Sequence, residues 1–203
     1  PNLLYSFRRC PYAMRARMSL LKSGMEVELR EVILRDRPEH MMEISPKGTV
    51  PVLLLPDGTV IEESLDIMLW SLDESWLVGD WKERIDVNDG DFKYHLDRYK
   101  YNNRYENVLS SEEHREHAVS ILKTYEKRLS NHAYLCGDSI SLTDLALSPF
   151  VRQFANTDRA WFDQLPLPHL LKWLEGILES NLFKACMVKH KQWRDGDEPV
   201  YFS

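Results

Sequence analysis

Apolar and polar positions follow one rhythm over the first third of the chain and another after it. Leu3-Leu4-Tyr5 is a short apolar run, and residues 2–7 predict a strand. Residues 11–23 are rich in helix formers and predict a helix, opened by Pro11 and stopped by Gly24. Residues 27–34 alternate and predict a second strand. Pro38 opens a short helix over Glu39 to Ile44. Val52 to Leu55 and Val60-Ile61 flank Pro56-Asp57-Gly58-Thr59, the turn chemistry of a hairpin. Ser64 is placed to cap a helix running to about Leu72. The predicted order is β-α-β-α-β-β-α, an α/β unit over residues 1–74. Residues 75–83 predict a linker with aromatic anchors, and residues 84–203 a helical half with no strand. Its helices are expected over 84–107, 111–131, 141–155 and 166–179. Ser141-Leu142-Thr143-Asp144 has the layout of a capping box, with Asp in place of Glu, and reads as a folding device.

Candidate chemistry concentrates at Cys10. It follows Arg8-Arg9 and precedes Pro11, which places it at the start of the first helix. Unpaired backbone N–H groups and nearby cations both favour thiolate over thiol, so its pKa is expected below that of an ordinary cysteine. The residue three positions on is Ala13, so no partner cysteine completes a dithiol motif. Redox turnover at Cys10 would draw on a thiol from another molecule. A buried, inert cysteine is the competing reading. Cys136 and Cys186 sit in apolar surroundings and read as structural.

The totals narrow the classes of partner. The chain has 203 residues, a net charge of −6 and 43% hydrophobic residues, enough for a substantial core and unsuited to nucleic acid as the main partner. Three widely spaced cysteines form neither a zinc pattern nor a disulfide framework, and a reducing, cytoplasmic compartment is expected. No metal site is expected. No apolar run approaches the roughly 18 residues of a membrane span, and the first residues lack the apolar stretch of a signal peptide. In residues 92–105, Phe92, Leu96, Tyr99 and Asn103 share one helical stripe, with Phe92 and Leu96 expected in the core. The roles of His95, Tyr101 and Tyr105 stay open.

Three motifs in this order carry a resemblance: Cys10-Pro11-Tyr12-Ala13, then Val50-Pro51 before a hairpin, then Glu63-Ser64, all ahead of a helical half. The chain resembles the glutathione transferases, and within that superfamily is most similar to the omega class and its bacterial relatives. The resemblance implies a thioredoxin-like N-terminal domain and a helical-bundle C-terminal domain. It implies glutathione as co-substrate and Cys10 as the residue forming a mixed disulfide with it. Pro51 would be a cis proline, and the Val50 backbone would pair with the cysteinyl part of glutathione. Glu63 and Ser64 would hold the γ-glutamyl end and Arg37 the glycyl carboxylate. Taken alone, these residues also suit an ordinary loop proline, a solvated charge, a helix cap and a surface arginine. The implied activity is a glutathione-dependent thiol transferase or reductase acting on a small-molecule or protein disulfide. The alternatives are a non-catalytic interaction protein on the same scaffold, or a direct thiol redox sensor or peroxidase. The resemblance also implies a homodimer, for which Trp70, Trp76 and Trp81 offer apolar surface.

Overall fold

A computed structural model describes residues 1–106 and 108–202. In chain order the first elements are β1 (Asn2–Ser6), α1 (Pro11–Ser23), β2 (Val27–Glu31), α2 (Glu39–Ile44), β3 (Val52–Leu54), β4 (Val60–Ile61) and α3 (Ser64–Ser71). Then come α4 (Trp81–Val87), α5 (Lys93–Lys100), α6 (Ser111–Leu129), α7 (Leu142–Thr157), α8 (Arg159–Phe162) and α9 (Pro168–Leu178). The last are α10 (Asn181–Cys186) and β5 (Tyr201–Phe202). The chain forms two compact units, one of Pro1–Glu74 with Glu179–Ser203, the other of Ser75–Leu178.

In the first unit the strands form one mixed sheet in the order β4-β3-β1-β2-β5. β1 runs parallel to β2 and antiparallel to β3. Alternation along β1 sends its side chains to opposite faces. Leu4 joins Ala16 and Leu20 of α1, Val27, Leu29, Leu53 and Ile67 in one core layer. Leu3 and Tyr5 join Val32, Met41, Val50 and Val52 in the other, against which Cys10 and Trp193 pack. The two layers hold the sheet between α1 and α3 on one face and α2 on the other, the thioredoxin-like arrangement expected.

Two readings of this region are corrected. The alternation over 27–34 predicts a longer strand than forms, because Ile33 folds back to bridge Asp36. Ser64 is the first residue of α3 rather than its cap, and Glu63 occupies the cap position without a side-chain capping bond.

The C-terminal segment departs further from expectation. Glu179–Ser203 clusters with the first unit instead of the helical half. β5 pairs antiparallel with β2, Val27 opposite Phe202 and Glu28 opposite Tyr201. A two-residue strand is too short to show a period, which is why the expectation of no strand beyond residue 83 fails. The final residue, Ser203, lies outside the described residues.

Among the described residues the second unit's regular elements are all helices, with an isolated bridge between Tyr134 and Gly137. The helix expected over 84–107 is broken into α4, a π-helical turn over Asn88–Phe92, α5 and a 3-10 turn at Asn102–Arg104. Its last predicted residue, Asn107, lies outside the described residues. Trp81 opens α4 rather than belonging to a linker. Phe92 and Leu96 are fully buried, as their stripe requires. The Ser141–Asp144 box is present at the start of α7, and Asp144 is fully buried. Its carboxylate accepts from Ser141 N (2.9 Å), Leu135 N (3.0 Å) and Trp173 Nε1 (2.9 Å), tying α7 to α9 and to the preceding loop.

Candidate active site

Cys10 occupies the cap position of α1, with φ −73° and ψ 122°, and Pro11 follows in the first turn. The turn before it is closed by Cys10 N–H donating to Phe7 O (3.1 Å), and the helix begins with Met14 N–H donating to Cys10 O (2.9 Å). No acidic residue stands in the first turn of α1. The thiol is therefore set at the end of the helix where its dipole favours negative charge. Cys10 is partly exposed, and its Sγ lies 3.9 Å from Val50 O.

Val50 is almost buried, and its bond to Pro51 is cis. The loop leading to it turns at Gly48, whose φ of +67° suits glycine. A Cβ there would meet Arg37 Nε at 3.1 Å and Met42 Sδ at 3.2 Å. The missing side chain lets Arg37 lie against the loop, where Arg37 Nε donates to Gly48 O (2.6 Å). Arg37 is otherwise exposed. At the start of α3, Glu63 is exposed and pairs with Lys47 Nζ (2.5 Å), which raises the pKa of Lys47. Ser64 is buried, and its Oγ accepts from Arg15 Nη1 (3.4 Å). Contacts thus link four of the five predicted site residues: Cys10 to Val50, the Val50 loop to Arg37 through Gly48, and the same loop to Glu63 through Lys47; Ser64 follows Glu63 in the chain and is held by Arg15.

Sequence reasoning missed the supports. Arg15 and Arg17 read as helix formers, yet both are buried in α1. Their signal was two arginines spaced by two among Ala and Met residues, a position where a cation needs partners. Lys47 and Glu31 were also missed. Glu31 Oε2 accepts from Arg8 N–H (2.9 Å), and burial pushes its carboxyl pKa up against that bond and the nearby Arg17 charge. A cleft of about 590 Å³ lies between α2 and residues 192–195 and shares only Arg37 with the five site residues. Among the described residues no group of three or more His, Cys, Asp or Glu is arranged to hold a metal ion. No described helix is long and apolar enough to cross a membrane.

Comparison with known proteins decides the family. Residues 4–75 match the glutathione S-transferase N-terminal domain, and residues 95–176 match the glutathione S-transferase C-terminal domain. A probable glutathione S-transferase of Nicotiana plumbaginifolia is 30% identical over 75% of this chain and 73% of its own length. The chain belongs to the glutathione S-transferase family. This transferase is also 25% identical to the omega-1 glutathione S-transferase of Rattus norvegicus, over 95% of this chain and 83% of that protein. Its fold matches a glutathione transferase family member of Pseudomonas fluorescens solved with two glutathione bound, at TM-score 0.77 and 16% identity, covering 92% of each chain. The transferase is thus a glutathione transferase-like enzyme with glutathione as co-substrate. The matches include plant transferases as well as the omega class.

Proposed function

We propose that this enzyme is a glutathione-dependent thiol transferase or reductase that works through the Cys10 sulfur. The observation carrying the reading is the placement of a partly exposed Cys10 at the cap of α1, beside the carbonyl of Val50 and its cis proline. In the first step the Cys10 thiolate attacks the glutathione sulfur of a mixed disulfide. A Cys10–glutathione disulfide forms, the substrate sulfur leaves with the electron pair, and it takes up a proton. A second glutathione, as thiolate, attacks the glutathione sulfur now on Cys10. Oxidised glutathione departs and the Cys10 thiolate is restored. Overall, one substrate disulfide is reduced and two glutathione units are joined, so electrons balance.

The cradle has three parts. The Val50 backbone pairs with the cysteinyl unit in the manner of an added strand. Arg37, already steadied by Gly48, directs its remaining guanidinium donors to the glycyl carboxylate. Glu63 receives the γ-glutamyl ammonium in exchange for Lys47, and Ser64 at the start of α3 receives the carboxylate. The acceptor is a small-molecule or protein disulfide, and the enzyme works as a homodimer in a reducing cytoplasm.

The deciding experiment is a mass measurement after brief incubation with oxidised glutathione, with peptide mapping and the Cys10→Ala variant beside it. One glutathione adduct on Cys10, absent from the variant, is expected. Label mainly on Cys136 or Cys186 would sink the reading. Sulfenic acid on Cys10 formed by peroxide without any glutathione requirement would favour a direct redox sensor. No adduct together with no retention on immobilised glutathione would favour an interaction protein.

A further inference from the structure

Arg17 lies in the middle of α1 with 3% of its surface exposed, and its guanidinium is fully engaged. Nη1 donates to Ser6 Oγ (2.6 Å) and Phe7 O (3.1 Å), and Nη2 donates to Arg8 O. Nε donates to Cys186 O (2.9 Å), and Nη2 also meets Met187 Sδ at 3.6 Å. Among the described residues no carboxylate accepts a hydrogen bond from it. A buried guanidinium normally takes a carboxylate partner, because an uncompensated charge is costly away from water. Here it is engaged instead by one hydroxyl and two backbone carbonyls of three consecutive residues, Ser6, Phe7 and Arg8. These residues form the turn that delivers the chain from β1 to Cys10. Phe7 O accepts from both Arg17 and Cys10 N–H, so one carbonyl joins the guanidinium to the cysteine backbone.

From this geometry we infer that Arg17 is the positioning residue of the Cys10 site, holding the turn that sets the sulfur at the start of α1 and supplying a fixed positive charge behind it. The inference rests on the reading of Cys10 as the reacting thiolate. Only a planar fork reaches the Ser6 hydroxyl and the Phe7 and Arg8 carbonyls together. The same guanidinium binds the carbonyl that ends α10, so the C-terminal segment is tied into the support of the site. The charged groups around the turn are Arg8 and Arg9 within it, Arg17 on α1, Glu31 on β2 and His190 in the C-terminal segment. Of these, Arg17 alone hydrogen-bonds the turn through a buried cationic side chain.

The test is the pH dependence of Cys10 alkylation by iodoacetamide, located by peptide mapping, in the full chain and its Arg17→Met and Arg17→Lys variants, with thermal unfolding measured alongside. In the unaltered protein the midpoint should fall below that of an ordinary thiol, about 8.5. Arg17→Met should move it upward by about one unit and slow alkylation at pH 6.5 about tenfold. Arg17→Lys should recover part of the rate, since it restores charge without the fork. A lower unfolding temperature with an unmoved midpoint would overturn the inference and leave the Cys10 reading intact. An ordinary midpoint in the unaltered protein would instead remove the Cys10 reading, and the inference with it. Should Arg17→Met fail to fold, Arg17→Lys decides alone: a raised midpoint supports the role, an unchanged one refutes it.

Discussion

Replacing Asp144 with alanine should be among the most destabilising single changes in the second unit. The carboxylate is buried and accepts from two backbone N–H groups and the Trp173 indole. Burial pushes its pKa up, and those three bonds and one from Ser141 Oγ pull it down, so the site balances desolvation against hydrogen bonding. Alanine relieves the desolvation of the carboxylate but strands three N–H donors away from water. At roughly 1–3 kcal/mol for each unmet donor, less the relief, the net loss is about 4 kcal/mol. For a chain of this size that corresponds to a fall in unfolding temperature of roughly 8–16 °C. Asp144→Asn keeps one oxygen for Leu135 N and Trp173 Nε1 but sets an amide donor against Ser141 N, so about 2 kcal/mol is expected. Urea unfolding followed by tryptophan fluorescence reads both. The reasoning fails if alanine costs less than about 1 kcal/mol, or if asparagine is the worse of the two.

Glu63→Ala and Ser64→Ala should raise the KM for glutathione about fivefold or more and leave kcat within about twofold, because their proposed contacts are with the end of the ligand remote from sulfur; unchanged glutathione binding would reduce them to a charge and a helix residue. His95 Nδ1 lies 2.9 Å from His114 Nδ1, a bond that needs one bare ring nitrogen. Burial lowers both pKa values, helped by His117 and Arg98 and opposed by Asp91 and Glu113. Both folded values lie below the ordinary 6.5, so the stability from neutral rings is present above about pH 6.5 and lost as pH falls through the lowered values. The urea midpoint should drop between pH 7 and pH 5, and His114→Leu should flatten that slope; an identical slope in the variant would refute it. Light scattering at micromolar concentration should give a dimer mass, whereas a mass near the 24.0 kDa of one chain, unchanged on concentration, would rule the dimer out.

The local elements of the first unit were legible because each has a short-range cause. Pro11 and Gly24 bound α1, and Asp57-Gly58 turns the hairpin between β3 and β4. The position of Cys10 at a helix start follows from its neighbours, as does the cap at Ser141-Asp144. Other features have no local signature. Residues 200–202 join the sheet only because β2 offers a free edge for Tyr201 and Phe202, so a segment read as helical territory becomes a strand. The contact between Cys10 and Val50 brings together residues 40 positions apart. Most of all, Arg15 and Arg17 read in sequence only as helix formers. Their burial, and Arg17's grip on Ser6, Phe7, Arg8 and Cys186, depend on which carbonyls the fold turns inward. Helix propensity and turn chemistry act over a few residues and can be read along the chain. The partners that satisfy a buried charge come from distant segments, and only packing brings them within hydrogen-bonding reach.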